Sequence, residues 1–135
     1  MSYVILDTNV LVSALWTHLD HGNPAYLLRC CVSRRYRLVY SHPIYQEYEE
    51  VLRRPKFRFD EKMVDDALGL VRVNGLLADP VWHSHAVPWC SDASDQMFYD
   101  ASRSWDALLI TGNKKHFPDD PRIFTPGEFL ANRPS

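Results

Sequence analysis

Short apolar runs alternate along the chain with stretches whose apolar residues recur at helical spacing. Tyr3–Leu6 is wholly apolar, which is typical of a strand buried on both faces of a parallel sheet. The stretch after it predicts a helix, whose apolar residues are Val10, Leu11, Ala14 and Leu15. Arg37–Tyr40 predicts a second strand, and Ser41 is a suitable N-cap for the helix that follows. The apolar residues of that helix are Ile44, Tyr45, Tyr48, Val51 and Leu52.

Proline and glycine mark where several predicted elements begin and end. Asn23-Pro24 predicts the start of a helix, and Pro55 ends the helix that begins after Ser41. A further helix is predicted over Asp60–Val73, with Gly75 as the C′ residue that closes it. Next come a predicted strand at Leu76–Ala78 and a loop at Asp79–Ser91. Ser91–Ser94 opens a helix, whose inward residues are Met97, Phe98, Ala101 and Trp105. The last predicted elements are strands at Ala107–Thr111 and Arg122–Phe124 and a helix opened by the capping box Thr125-Pro126-Gly127-Glu128.

This alternation of strands and helices predicts an α/β fold, in which helices flank a mainly parallel central sheet. The chain has 135 residues, of which 46% are hydrophobic and 24% charged, and this suits a single domain over residues 1–135. The formal net charge of −2 excludes a protein that coats nucleic acid through bulk positive charge. It leaves open a nucleic-acid enzyme with a local acidic metal site.

The cysteines and the apolar segments bear on where the protein acts. Three cysteines without a C-x-x-C motif argue against a disulfide framework and favour a reducing compartment. No apolar stretch approaches the roughly 20 residues of a membrane span, and the N-terminus lacks the basic region and cleavage site of a signal peptide. We therefore expect a cytoplasmic protein with no membrane association.

Acidic and amide side chains are predicted to gather at one edge of the sheet. Asp7 directly follows the first strand, Asn113 follows the strand at Ala107–Thr111, and Asp92 and Asp95 begin the helix before that strand. Ligands of parallel sheets bind at the carboxyl ends of the strands. Several carboxylates at that edge repel each other unless a cation neutralises them, and Mg²⁺ or Mn²⁺ suits a set of oxygen ligands.

The helix after the second strand offers a further acid. Glu47 and Glu49 flank its apolar face on opposite sides, whereas Glu50 points away from that face. Helical spacing alone leaves both Glu47 and Glu49 as candidates. Each candidate acid or amide also has an ordinary structural alternative: a helix cap or dipole partner for the aspartates, a solvated helix surface for the glutamates and a turn for Asn113.

The order of four segments links the chain to a known family. They are Asp7–Leu15 after an apolar strand, Tyr45–Phe57, Asp92–Phe98 and Trp105–Phe117. In this order they resemble the opening, the glutamate-bearing helix, the third acidic block and the closing strand and turn of the PIN-domain family. Ile123–Leu130 resembles its C-terminal strand and helix. Within the family, the chain is similar to the PIN toxins of bacterial toxin–antitoxin systems, the VapC-like ribonucleases.

The resemblance implies a three-layer PIN-like sandwich and metal-dependent hydrolysis of RNA phosphodiester bonds. Asp7, Glu47 and Asp95 match the catalytic, metal-binding acids of the family, so the resemblance selects Glu47 from the two glutamates. The implied cofactor is Mg²⁺ or Mn²⁺, which would polarise the phosphate and lower the pKa of a bound water.

Further residues match less central positions of the family pattern. Asp92 lies just before the third acid, and Asn113 stands where the family often has an aspartate, so both are additional metal-ligand candidates. Asn9 and Thr111 match polar residues that hold the first aspartate through hydrogen bonds.

The resemblance also implies partners. These are an RNA substrate, a cognate antitoxin protein and a second copy of the chain. The chain has two basic clusters, one formed by Arg53, Arg54, Lys56 and Arg58 and the other by Lys114, Lys115 and His116. The candidates for RNA contacts are Arg53 from the first and Lys114 and Lys115 from the second. An apolar patch near the N-terminus would form the homodimer through Trp16, Tyr26 and Leu27.

Three alternatives stay open at this point. A catalytically weak PIN-like module that binds RNA or protein would account for Asn113. A phosphatase-like or receiver-like α/β domain also places an aspartate after its first strand, but here the usual Asp-x-Asp reads Asp7-Thr8-Asn9. A zinc site built from His83, His85 and Cys90 lacks a fourth ligand at suitable spacing.

Overall fold

A parallel sheet organises the chain, of which the computed structural model describes residues 2–79, 81 and 89–132. The strands in these residues are β1 (Tyr3–Leu6), β2 (Arg37–Tyr40), β3 (Gly75–Leu77), β4 (Leu108–Ile110) and β5 (Ile123–Phe124). Their order across the sheet is β3-β2-β1-β4-β5, and every neighbouring pair is parallel. Helices flank the sheet, which confirms the predicted α/β fold.

The helices follow the predicted alternation. They are α1 (Thr8–Trp16), α2 (Asn23–Val32), α3 (His42–Leu52), α4 (Glu61–Asn74), α5 (Gln96–Trp105) and α6 (Pro126–Asn132), with short 3₁₀ turns at Pro55–Phe57, Ala93–Asp95 and Lys114–His116. Side-chain caps hold the starts of α1, α3, α4 and α6. Ser41 Oγ accepts a hydrogen bond from the Ile44 N–H at 3.3 Å. At α6 the Thr125 N–H donates to Glu128 Oε1 at 2.9 Å and the Glu128 N–H donates to Thr125 Oγ1 at 3.1 Å, which is the predicted capping box.

The strand order determines which elements meet at the carboxyl edge of the sheet. The chain runs from β1 to β2 to β3 in one direction and then returns to β4 on the other side of β1. Right-handed crossovers place the β1–β2 and β2–β3 connections on one face of the sheet and the β3–β4 connection, which contains α5, on the other. The end of β1 is therefore the point where the connections diverge, and ligands of open α/β sheets bind at such points. At the carboxyl edge α3 nevertheless reaches α5, because the rings of Tyr48 and Phe98 lie 6.3 Å apart.

The core is built around the two central strands. Val4, Ile5, Leu109 and Ile110 are completely buried, as expected for strands covered on both faces. Large aromatic side chains from the helices close the core on either side of the sheet, among them Tyr48, Phe98 and Phe129. The Tyr48 hydroxyl donates a hydrogen bond to the Leu6 carbonyl, so α3 is anchored directly below the end of β1.

Gly75 ends α4, and its N–H donates to the Val71 carbonyl, but it does so as an extended C-cap residue and not as the predicted left-handed C′ glycine. It is the first residue of β3, with extended backbone angles of φ −93° and ψ 159°. A Cβ atom at this position would lie 2.5 Å from the Val71 carbonyl oxygen and 2.8 Å from Tyr40 Cδ1. The glycine is needed because the helix passes into the strand against the Tyr40 ring, and not because the backbone turns left-handed.

Three further predictions differ from the structure. The helix predicted from Ser91–Ser94 begins only at Gln96, because the Asp92 side chain holds a tight 3₁₀ turn before it. Trp105 is 45% exposed and not inward, since it is the last residue of α5. Leu27 is completely buried in the core, so it cannot belong to the proposed dimer patch.

The predicted zinc alternative and the predicted loop fall largely on residues that the structure does not describe. His83 and His85 of the zinc alternative lie outside the described residues, as does most of the Asp79–Ser91 loop. In the described part of the chain, no helix has both the length and the apolar character needed to cross a bilayer.

Candidate active site

Asp7 lies at the carboxyl end of β1 and begins α1 as its N-cap. Only 5% of the residue is exposed, and both carboxylate oxygens accept hydrogen bonds. Oδ1 accepts from the Thr8 N–H at 2.7 Å, and Oδ2 accepts from Thr111 Oγ1 at 2.7 Å and from Asn9 Nδ2 at 3.3 Å. Burial raises the pKa of Asp7, while these hydrogen bonds act in the opposite direction. The carboxylate is held in one orientation by three donors.

The loop after β4 is fastened to the same end of β1. Asn9 Oδ1 accepts a hydrogen bond from the Gly112 N–H at 3.0 Å, and Thr111 Oγ1 accepts one from the Asn113 N–H at 3.0 Å. A Cβ atom on Gly112 would lie 3.3 Å from Asn9 Oδ1, so the loop passes close to α1. The two predicted supporting residues thus link β1 to β4 as well as contacting Asp7, and they bring the exposed Asn113 to this edge.

Glu47 projects from α3 toward the same edge. Its side chain is half-buried, and burial raises its pKa. The charges of Glu50, Asp7 and Asp92 also raise this pKa, whereas Arg54 lowers it. Glu49, the other glutamate that helical spacing left open, is exposed and its Oε2 lies 3.9 Å from Arg53 Nη2. Of the two, the structure therefore brings Glu47 into the electrostatic field of Asp7.

Asp95 is the most perturbed acid of this edge. Its side chain is 15% exposed, and Oδ2 is buried without a hydrogen-bond partner. Burial, followed by the charges of Asp7 and Asp92, raises the pKa of Asp95 to about 6. Asp92 lies three residues before Asp95 in the sequence. Its Oδ1 accepts hydrogen bonds from the Ser94 N–H at 2.9 Å and from Ser94 Oγ at 2.8 Å. These hydrogen bonds lower the pKa of Asp92, so it remains ionised beside Asp95.

His116 is a neighbour of Asp95 that sequence reasoning treated only as part of a basic cluster. Its Nδ1 lies 3.5 Å from Asp95 Oδ2, so the two form an ion pair when His116 is protonated, although no hydrogen bond joins them. The His116 carbonyl accepts from Ser91 N–H at 3.2 Å and Ser91 Oγ at 3.1 Å. The loop after β4 is thus tied to the segment that carries Asp92 and Asp95. No local spacing predicts this contact, because the two residues belong to separate loops.

The donor set fits a hard divalent cation by its chemistry. Asp7, Glu47, Asp92 and Asp95 offer only carboxylate oxygens, which Mg²⁺ and Mn²⁺ prefer. The buried, unpartnered Asp95 Oδ2 is an acceptor that a cation would satisfy. Among the described residues, no three His, Cys, Asp or Glu side chains are arranged to hold an ion together.

Two of the three basic residues proposed to contact RNA are in ion pairs. Arg53 Nη2 lies 3.1 Å from Asp65 Oδ1, and Lys114 Nζ lies 3.2 Å from Glu128 Oε1. Lys115 is exposed, and the structure records no ion pair for it within the described residues. All three lie in surface segments, and Lys114 and Lys115 follow Asn113 directly.

Comparison with known proteins gives one match. A family model described as PIN domain matches residues 3–115, which include every acid of the edge described above. No curated protein and no solved structure matches the chain. PIN domains are generally metal-dependent nucleases, so the match supports a nuclease-type hydrolase. Because the match extends over most of the sequence, the chain belongs to the PIN-domain family.

Proposed function

We propose that this chain is a metal-dependent endoribonuclease that hydrolyses phosphodiester bonds of RNA with Mg²⁺ or Mn²⁺. Asp7, Glu47 and Asp95 are the proposed catalytic metal ligands, with Asp92 and Asn113 as additional ligands. Membership of the PIN-domain family supports the nuclease class. The arrangement of acids at the end of β1 supports the finer assignment.

The observation that carries the proposal is the environment of Asp95. An acid that is buried next to two other carboxylates, with one oxygen lacking a partner, destabilises the protein when it is ionised. A divalent cation removes this penalty, because its charge favours the ionised form of each acid. A purely structural acid would instead be expected to have a hydrogen-bond donor for each buried oxygen.

The roles of the residues in the reaction follow from their positions. A divalent cation, when bound, polarises the scissile phosphate and lowers the pKa of a water molecule. Thr111 and Asn9 hold the Asp7 carboxylate in a fixed orientation, which preorganises one ligand before substrate arrives. Glu47 and Asp95 approach from α3 and from the turn before α5, so the three acids surround the edge from separate elements.

Single-stranded or looped RNA is the proposed substrate, because its backbone can bend into a cleft at the sheet edge. By resemblance to the VapC-like toxins, we further propose that the protein is the toxin of a bacterial type II toxin–antitoxin system. It would then act in the cytoplasm, bind a cognate antitoxin and form a homodimer. The three cysteines are free, which agrees with a reducing compartment.

Asp7→Asn tests the proposal directly. The substitution keeps the shape of the side chain and can still cap α1, but it removes one ligand charge. We expect it to abolish RNA cleavage in Mg²⁺ or Mn²⁺, while the metal-free protein still folds with an unfolding free energy lowered by about 1–3 kcal/mol, because the amide nitrogen cannot accept the hydrogen bonds of Thr111 and Asn9. The measurement is cleavage of a labelled single-stranded RNA together with denaturant unfolding in chelator.

Glu49→Gln is the matched control, since Glu49 is an exposed acid on the same helix as Glu47. It should cleave as the wild type does. Full activity of Asp7→Asn, or activity of the wild type in excess chelator, would contradict the proposal. Binding of RNA without cleavage by the wild type in either metal would instead favour the alternative of a binding module.

A further inference from the structure

Trp16 is an exposed aromatic residue with no part in the acid edge, by which we mean the carboxyl edge of the sheet that carries Asp7, Glu47, Asp92 and Asp95. It is the last residue of α1 and is 60% exposed. Two rings nevertheless fix its position, Phe57 at a centroid distance of 6.3 Å and Phe59 at 5.8 Å, both roughly perpendicular to the indole. A large ring that is held in place yet open to solvent loses little freedom when another flat ring stacks on it.

A groove of about 520 Å³ lies beside this ring. Its lining combines the rings of Trp16 and Phe57 with the polar side chains of Ser13, Thr17 and His21. The volume falls within the range of small-molecule sites, ~300–1,000 Å³. A flat aromatic surface next to hydrogen-bonding groups is suited to a ring with polar edges, and a nucleobase is such a ring.

The groove borders a second groove that is lined by residues around Asp7. The second groove, of about 240 Å³, is lined by Asn9, Gly112 and Asn113, and it shares Ser13 and Pro24 with the groove beside Trp16. Asn9, Ser13 and Trp16 are spaced by four and three residues along α1, so they lie on one side of that helix. The distance along the helix from Asn9 to Trp16 is about 10 Å.

A lysine lies next to the aromatic lining of the groove. Phe57 belongs to the segment Arg53–Arg58, which contains four basic residues. Two of these are arginines in ion pairs, Arg53 with Asp65 and Arg54 with Glu50. Lys56 Nζ lies 5.1 Å from the centre of the Phe57 ring, so one of these charges is next to the aromatic lining. Bases can therefore meet rings while phosphates meet cations, which is the arrangement used to bind single-stranded nucleic acid.

We propose that Trp16, with the groove beside it, is a subsite for one unstacked base of the single-stranded RNA whose backbone lies at the acid edge. This inference rests on the proposed function. The occupant is RNA and not a protein segment, because the neighbouring groove is lined by Asn9 and Asn113 beside Asp7 and because Lys56 lies against the Phe57 ring. A second copy of the chain, for which the sequence also made Trp16 a candidate, is the competing occupant that the test distinguishes.

The test compares Trp16→Ala, Trp16→Leu and Trp16→Phe in the Asp7→Asn background, in which RNA binding can be measured without cleavage. The probe is an unstructured RNA oligonucleotide whose site of cleavage by the wild type has been mapped. We expect Trp16→Ala and Trp16→Leu to bind roughly 5- to 150-fold more weakly, which is the range for loss of one base–aromatic stack. Trp16→Phe should keep most of the affinity. Trp16→Leu retains bulk against Phe57 and Phe59, so it separates stacking from folding.

Trp105→Ala is the matched control. Trp105 is also an exposed tryptophan, but it lies beside Tyr3, the first residue of β1, at the opposite edge of the sheet. Its affinity for RNA should change by less than about twofold, as for most surface substitutions.

A second measurement isolates the base. One abasic ribose is moved through the same oligonucleotide, position by position. At one position near the cleaved bond, removal of the base should lower the RNA affinity of the parent Asp7→Asn protein. The same removal should leave the RNA affinity of the double variant, Asp7→Asn with Trp16→Ala, unchanged. This coupling is absent if Trp16 acts only through the fold.

The outcomes separate the two proposals. If the wild type cleaves RNA but Trp16→Leu in the Asp7→Asn background binds as tightly as its parent, the subsite is wrong and the proposed function stands. If the Trp16 variants keep RNA affinity but change the mass measured by light scattering, the groove is a protein interface and the subsite is wrong. If the wild type neither binds nor cleaves RNA in Mg²⁺ or Mn²⁺, both proposals fail.

Discussion

Asp95 links the chemistry of the acid edge to the stability of the protein. The pKa of its carboxyl group is raised to about 6 by burial and by Asp7 and Asp92, from an ordinary value of 3.8. At neutral pH and without a cation, this acid is ionised beside other ionised acids. The free energy of unfolding therefore carries a penalty that depends on pH.

We predict the sign of this dependence. Between about pH 4 and about pH 6 the folded protein holds a proton on Asp95 that the unfolded chain has released. The unfolding free energy of the metal-free wild type should therefore receive a falling contribution from Asp95 as pH rises through this window. Asp95→Asn removes this contribution, so the variant should gain stability relative to wild type over the window. Denaturant unfolding in chelator at several pH values measures it.

The test uses the difference in unfolding free energy between wild type and Asp95→Asn at each pH. Asp92, Glu128 and Asp120 have lowered pKa values and contribute stability in the opposite direction, but they do so in both proteins. A difference that stays constant from pH 4 to pH 6 would show that Asp95 is not perturbed as described. Saturating Mg²⁺ or Mn²⁺ should reverse the slope, because the ion requires the deprotonated acid.

The basic residues differ in how strongly the protein already neutralises them. We predict that Arg53→Ala and Lys114→Ala weaken RNA binding without unfolding the protein. Lys115→Ala should do so most, because no ion pair engages Lys115 among the described residues. Affinity falls as salt rises, and each lost phosphate contact should make the plot of log affinity against log salt concentration shallower by about 1 unit of slope. The measurement is RNA affinity over a range of salt concentrations.

Lys62→Ala serves as the control for charge alone. Lys62 belongs to neither basic cluster, and its Nζ pairs with Asp66 at 2.8 Å. An unchanged salt slope in all three test variants would mean that none of these residues contacts the RNA backbone.

Among the elements, the passage from α4 into β3 has the least tolerance. A methyl group on Gly75 would overlap the Val71 carbonyl, which is backbone, and the Tyr40 ring. We predict that Gly75→Ala lowers the unfolding free energy by roughly 1–3 kcal/mol, the usual cost of forced overpacking. Gly69→Ala is the matched control in the same helix, where the nearest atom to an added Cβ is Arg72 Nη2 at 3.7 Å.

Gly69→Ala should instead stabilise the protein by about 0.5–1 kcal/mol, because alanine favours the helix interior. Urea unfolding of both variants provides the comparison. Equal stability of the two would contradict the account of Gly75 as a close-contact residue.

The same junction illustrates what sequence patterns can and cannot give. Apolar runs and caps predict the elements well, since both depend on residues next to each other in the chain, as at Ser41 and Thr125. The reason for Gly75 depends on Tyr40, which reaches it through strand pairing. The neighbourhood of Asp95 and His116 likewise comes from loops that only the folded sheet brings together. Periodicity left Glu47 and Glu49 equivalent for the same reason.

For the whole molecule, the acid edge predicts stabilisation by metal. The net charge of −2 is small, so the repulsion among the acids at this edge is local and not a property of the surface as a whole. Titration with Mg²⁺ or Mn²⁺ should raise the melting temperature, with about 2.7 kcal/mol of stabilisation at a hundredfold excess over Kd. Asp7→Asn and Glu47→Gln should reduce the shift, whereas Glu49→Gln should preserve it. The same shift in all variants would show that the ion binds elsewhere.

The hydrogen bond from Thr111 to Asp7 has a consequence for synthesis of the chain. It joins residues 104 positions apart, and the bond from Gly112 to Asn9 joins residues 103 apart. A chain that grows from its N-terminus has Asp7 and Glu47 early, but it lacks the strand that orients Asp7 until β4 has emerged. A fragment that ends before β4 can pair β1, β2 and β3 and still have no ordered acid edge. If the proposed nuclease activity needs an oriented Asp7, a nascent chain that has not yet reached Thr111 is expected to be inactive.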